Sequence, residues 1–190
     1  MSAFAKGSVV AAGHDFMRDT YGIDTWDRVL GTLSDDDRAL VVSARSTPLV
    51  PVAVDGRVFS ALVEVRFEGN RFVAERELRR GGAAQADAML NGVFSVFARL
   101  GTPQQLFGRA GSLISSVYKG VSSDTQASED GSGGTIHIRG LGDSRYIAPW
   151  QCGWIERALG RFGSASPHVT ERSWTSGLDS SDHLEYEVRF

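Results

Sequence analysis

The sequence predicts an α+β fold, an N-terminal helical bundle packed on a small C-terminal antiparallel sheet with an inserted helix. Three observations carry this. Apolar residues recur at helical spacing through most of residues 1–120, and period-two alternation takes over at 135–141 and again at the C-terminus. A further helical stretch around Trp150 and Trp154 separates those two extended runs. The 190 residues are expected to form a single domain, 1–190, with a helical part at 1–120 and a sheet part at 121–190.

Taken in order, the chain opens as a helix that breaks at Tyr21-Gly22. Asp24 is placed to cap a second helix whose stripe is Trp26, Val29, Leu30 and Leu33. Ser34 caps a third start, and Asp35, Asp36 and Asp37 fall in its first turn, where negative charge meets unpaired N–H groups. That placement accounts for the three aspartates without a metal. "RSTPLVPVAVDG" (45–56) reads as a connector because Pro48 and Pro51 interrupt helix. From Arg57 to Arg80 helix is favoured over strand, ending in the charged, solvated segment "FVAERELRR". Met89, Leu90, Val93, Phe94 and Phe97 form the next stripe. After Gly101, Thr102 caps and Pro103 opens a helix carrying Leu106, Phe107, Ala110, Leu113, Ile114 and Val117 over four turns.

Residues 122–134, "SSDTQASEDGSGG", are polar and low in complexity, and read as a long hairpin tip. "TIHIRGL" (135–141) alternates as a strand, with Ile136 and Ile138 on one face and His137 and Arg139 on the other. Pro149 starts a helix that Gly163 closes. Two more strands end the chain, the last alternating Leu184, Tyr186, Val188 and Phe190 with Glu185, Glu187 and Arg189.

Composition narrows the function. With 42% hydrophobic and 23% charged residues the chain can bury a core and stay in solution. A net charge of −3 argues against nucleic acid as a partner. The start lacks the apolar run of a secretory leader, and no stretch is apolar enough to span a bilayer, so a cytoplasmic location is expected. Cys152 is the single cysteine, which forbids an internal disulfide.

Catalytic signals are sparse. Of His14, His137, His168 and His183, no two stand three or four apart, so no helix presents a two-histidine metal pair and no metal ligands are assigned. Cys152 has no local histidine to serve as its base. No serine lies in a nucleophile motif, and "GSGG" and "GLGD" lack the context of a phosphate loop. No catalytic residue is assigned, and an enzyme using Cys152 or His137 stands as a third hypothesis.

The two ends carry a resemblance. "KGSVVAAGHDFMRDTYGIDTWDRVL" resembles the first two helices of heme-based nitric-oxide-binding domains, with Lys6, Gly7, Phe16, Tyr21, Gly22, Trp26 and Leu30 at the matching positions. "CGWIERALGRFG" followed by a strand, a turn and "LEYEVRF" is similar to the ending of that superfamily, including 4-vinyl-reductase-type domains and small myxobacterial paralogues of unknown function. The resemblance implies helices packed on an antiparallel sheet with an apolar pocket between them, in a ligand-binding or signalling module. In the heme branch it also implies a proximal histidine on a mid-chain helix and a Tyr-x-Ser-x-Arg motif for the propionates. Here Ala83–Gly120 contains no histidine, and "GDSRY" keeps a serine and an arginine out of order. Heme, and any other cofactor, is therefore not expected.

The resulting expectation is a non-enzymatic sensory or regulatory module that binds a small apolar ligand or a signalling protein. Its pocket is placed between the 89–117 helices and the terminal sheet, lined by Phe94, Phe97 and Phe107. The alternatives are an interaction module, a homodimer included, with a filled core and an exposed patch at Trp150 and Trp154, or a heme sensor ligated atypically through His14 or His137.

Overall fold

The first residues described are extended rather than helical. In the computed structural model, which describes residues 3–91, 101–142, 145–175 and 183–190, β1 (Phe4–Lys6) lies between β2 (Leu49–Pro51) and β3 (Tyr118–Lys119) in a three-stranded antiparallel sheet. This sheet ties the opening to two distant parts of the chain. At the junction with α1 (Gly7–Tyr21), Gly7 sits so close to the turn at 44–47 that a Cβ would fall 2.0 Å from the Thr47 carbonyl oxygen. Glycine is what this close approach permits at position 7, because any side chain would push α1 away from the 44–47 turn.

Helix α2 (Ile23–Thr32) starts one residue before the expected cap, with Gly22 at the N-cap and Asp24 inside the first turn, where its charge still faces the helix N-terminus. Helix α3 (Asp35–Ser43) begins as its residues dictate, with Ser34 Oγ accepting from the Asp37 N–H. Asp37 is also held by Arg57, which pairs with it through two hydrogen bonds of 2.7 Å and keeps its carboxyl below the usual range. The expected connector is shorter than its prolines suggest. Pro51 ends β2, and α4 (Val52–Phe67) starts at the next residue, so helix takes over before Arg57.

Helix α5 (Arg71–Asn91) crosses α8 (Ile147–Arg161) in intimate contact. A Cβ on Gly82 would lie 1.9 Å from the Trp150 carbonyl oxygen, and one on Gly153 would lie 2.0 Å from that of Arg79. The charged start of α5 is therefore not purely a solvated face. Arg79 pairs with Glu156 of α8 at 2.9 Å and donates to the Val169 carbonyl at 3.0 Å, and Glu156 accepts the Val169 N–H. Ala74 and Leu78, on the inner side of the same helix, are buried.

The expected four-turn helix after Gly101 is two helices. Thr102 and Gln105 form a reciprocal capping box at the start of α6 (Pro103–Gly108), which ends at Arg109, and α7 (Ala110–Val117) follows at once. The polar stretch 122–134 is also more ordered than its composition suggests. Ser122–Ala127 is strand β4, paired with β5 (Gly133–Arg139), and only five residues turn between them. In that turn Asp130 accepts from the Ser128 hydroxyl and from the Ser132 N–H and hydroxyl, which replaces missing backbone pairing.

The C-terminal sheet is antiparallel, in the order β4-β5-β7-β6, with β6 (His168–Thr175) and β7 (His183–Arg189) following α8. Ile136 and Ile138 of β5 and Leu184, Tyr186 and Val188 of β7 are buried on its inner face. The architecture is α+β with a C-terminal antiparallel sheet and a helix inserted between its strands, as the sequence predicts, and the structure adds the three-stranded β2-β1-β3 sheet within the helical part. None of the described helices is long and apolar enough to cross a membrane.

Candidate functional site

Between the sheet and the helices lies an apolar cavity of about 100 Å³. The inner face of the sheet supplies Ile136, Ile138 and Val188. Helices α6 and α7 supply Leu106, Phe107, Leu113, Ile114 and Val117, and Met89 and Gln85 reach in from α5. Helix α8 completes the wall with Trp150, Gln151, Trp154 and Ile155. Phe107 is buried, lines this space and packs against Phe190 with ring centroids 5.7 Å apart. Phe94 and Phe97 lie outside the described residues.

The few polar groups at the wall are engaged with one another. The Trp150 indole N–H donates to Gln85 Oε1 at 2.9 Å, and Gln85 Nε2 donates to the Val9 carbonyl at 2.8 Å, so one amide joins α8, α5 and α1. The Tyr186 hydroxyl donates to Gln151 Oε1 at 2.5 Å, and Gln151 Nε2 reaches the Tyr118 hydroxyl at 3.4 Å. Burial pushes the Tyr118 phenol up to about 12 and the Tyr186 phenol well above its ordinary value. Both stay neutral in water, and the cavity keeps an uncharged lining. Sequence reasoning missed these glutamines, because a polar residue within an apolar stripe is recognisable as a satisfied bridge only once its partners are known.

Trp150 is buried, with Phe16 and Phe59 packed on its ring, so the exposed Trp150 and Trp154 patch imagined for an interaction module does not form. Cys152 is fully buried, and burial pushes its thiol up to about 12. A thiol so reluctant to ionise is a poor nucleophile.

The histidines stand away from the cavity wall. His14 is buried on α1, bonded through Nε2 to Asp55 at 3.0 Å, with its ring 5.4 Å from that of Trp26, and Nδ1 has no hydrogen-bond partner. His168 is exposed on β6. On the outer face of the sheet, strand pairing brings together two histidines that lie 46 residues apart. His137 Nδ1 and His183 Nε2 are 2.9 Å apart, and the Glu185 carboxylate is 3.6 Å from His137. One ligand atom from each of the three lies within 4.8 Å of the others, a group able to hold a metal ion. Helical spacing carries no trace of this group, because the pairing runs across strands.

No protein-family model matches the sequence, and no curated relative matches it. Solved structures do. A point mutant of the Fe(II) unliganded H-NOX protein from K. algicida superposes with a TM-score of 0.71, over 97% of this chain and 95% of that one, at 11% identity. A point mutant of T. tengcongensis H-NOX gives 0.67 over 97% of each chain at 18% identity, and a Cs H-NOX mutant gives 0.68 at 18%, over 97% of this chain and 96% of that one. At such low identity the likeness is one of fold, and the chain has the H-NOX fold that its two ends resemble.

Proposed function

We propose that this chain uses the H-NOX fold as a non-enzymatic sensory or regulatory module that binds a small apolar molecule between helices α5–α8 and the sheet. The carrying observation is the cavity. Its wall is aliphatic and aromatic, its polar groups are mutually bonded, and its volume of about 100 Å³ is of the order of the ~150 Å³ apolar cavity that holds benzene or xenon. Met89, Leu106, Phe107, Ile136, Ile138 and Trp154 are the contacts proposed for such a ligand.

Solved neighbours on this fold include proteins studied for heme distortion in the H-NOX family. The residues here do not fit that group through a histidine. None of the histidines among the described residues lines the cavity, and residues 83–120 contain none in the sequence. Tyr118, an oxygen donor at the wall, has its pKa raised by burial and its hydroxyl engaged by Gln151 Nε2 at 3.4 Å. We therefore read the ligand as a small apolar molecule rather than a histidine-ligated heme.

Native mass spectrometry of the purified protein, paired with an absorption spectrum after hemin addition and gel filtration, tests this. The reading expects no surviving Soret band, together with either an added mass of at most a few hundred daltons or uptake of a small aromatic when one is supplied. A Soret band that stays with the protein at one heme per chain would overturn it.

A further inference from the structure

We propose that the outer face of the C-terminal sheet carries a binding site for a divalent first-row transition metal, of which zinc is the reference case, with His137, His183 and Glu185 as its ligands.

The site is built by register. On β5, residues alternate between the core and the outer face, and His137 stands between the buried Ile136 and Ile138. On β7, His183 and Glu185 flank the buried Leu184 in the same way. In the β5–β7 pairing His137 lies directly opposite Glu185, and His183 lies opposite Arg139, one step along the same face. A directly opposed residue and its diagonal neighbour are both within reach of a histidine side chain. All three are half-buried, so the donors are partly shielded from water and held by a backbone that is fixed by its ladder.

The distances suit a metal. In a tetrahedral site with metal–nitrogen bonds near 2.0–2.1 Å, ligand atoms stand ~3.3 Å apart. His137 Nδ1 is 2.9 Å from His183 Nε2 and 3.6 Å from the nearer Glu185 oxygen, on either side of that spacing. Two ring nitrogens facing each other need something between them. In the metal-free protein one N–H proton fills that space. A cation would take the proton's place between two lone pairs, and the proton would move to the far ring nitrogen or leave.

The charges nearby are arranged to leave Glu185 available. Glu187, on the same face, is paired with Arg172 and Arg189, and Arg139 is paired with Asp124. Asp124 lies opposite His137 on β4, and its carboxyl is held below the usual range chiefly by the Arg139 hydrogen bond. It places negative charge beside the site and offsets the guanidinium. Two imidazoles and one carboxylate select a borderline metal over calcium or magnesium, which take oxygen ligands. With three protein ligands, a fourth position stays open to water or to an exchangeable ligand.

The test is calorimetric titration of the full chain, free of any affinity tag, with Zn2+, and an absorption spectrum with Co2+. The expected result is one equivalent bound, with visible Co2+ bands of tetrahedral intensity. His137→Ala and His183→Ala should each weaken Zn2+ binding at least tenfold, Glu185→Gln less, and His168→Ala not at all. Circular dichroism confirms that each variant keeps its fold. Should a histidine variant fail to fold, the imidazole NMR signals of the unsubstituted protein decide: Zn2+ must move those of His137 and His183 and spare those of His14 and His168. Absence of saturable binding, or binding indifferent to His137 and His183, or binding lost equally in His168→Ala, would overturn the assignment.

Discussion

Replacing Gln85 by leucine tests how the cavity wall is held. The side chain is 8% exposed and makes two hydrogen bonds, accepting the Trp150 indole N–H at 2.9 Å and donating to the Val9 carbonyl at 2.8 Å. Leucine keeps approximate size and removes both. The indole N–H is then left buried without an acceptor, at a cost of about 1–3 kcal/mol. Val9 lies in the interior of α1, where its carbonyl is placed to accept a helical bond, so its loss is the smaller one, about 1 kcal/mol. The sum, about 2–4 kcal/mol, corresponds to a fall in Tm of roughly 4–16 °C for a chain of this size. Urea unfolding followed by tryptophan fluorescence reads the free energy directly. A double-mutant cycle with Trp150→Phe isolates the indole–amide bond, for which a coupling of about 1 kcal/mol is expected. A change below about 0.5 kcal/mol for Gln85→Leu, with no coupling to Trp150→Phe, would refute the view that this amide fastens α8, α5 and α1 together.

Further outcomes at three residues rest on the same physics. Gly153→Ala places a methyl 2.0 Å from the Arg79 carbonyl and must separate α5 from α8, so a loss of at least about 2 kcal/mol, or failure to fold, is expected in thermal unfolding. Cys152, with a thiol pushed up to about 12 by burial, should react with a thiol reagent at pH 8 on the order of a thousandfold more slowly in the native than in the unfolded protein. Because its folded value is raised, the linked stability is fully present below about pH 9 and is lost as pH rises towards 12, which a pH series of unfolding curves will show. Asp130, whose carboxyl is drawn down to about 2 by its bonds to Ser132 and Ser128, should titrate near that value by NMR, with the β4–β5 turn loosening only as pH falls from about 4 towards 2.

Much of the fold was legible because local chemistry agreed with tertiary structure. Ser34 and Thr102 mark their helix starts by side-chain capping, and the alternation through Ile136 and Ile138 survives because one face of the sheet is buried. What was not legible depends on distant partners. The three residues of β1 are too few to show a period, and their extended form comes from pairing with residues 49–51 and 118–119. Ser122–Ala127 is a polar strand at the sheet edge, ordered by its ladder to β5 rather than by any hydrophobic pattern. The His137–His183 pair is set by the β5–β7 register, across 46 residues of separation. Of the phenylalanines named from the sequence, Phe107 lines the cavity and Phe94 and Phe97 lie outside the described residues, while the glutamine bridges and the contribution of α8 emerge only when the helices are assembled.

The most direct test of the central claim is a titration of methyl-labelled protein with toluene, followed by NMR. Saturable shifts confined to Leu106, Leu113, Ile114, Ile136, Ile138 and Val188, abolished when Ala110→Phe fills the space, are the predicted result. Shifts scattered over the surface, or identical shifts in Ala110→Phe, would contradict a ligand cavity beneath the sheet.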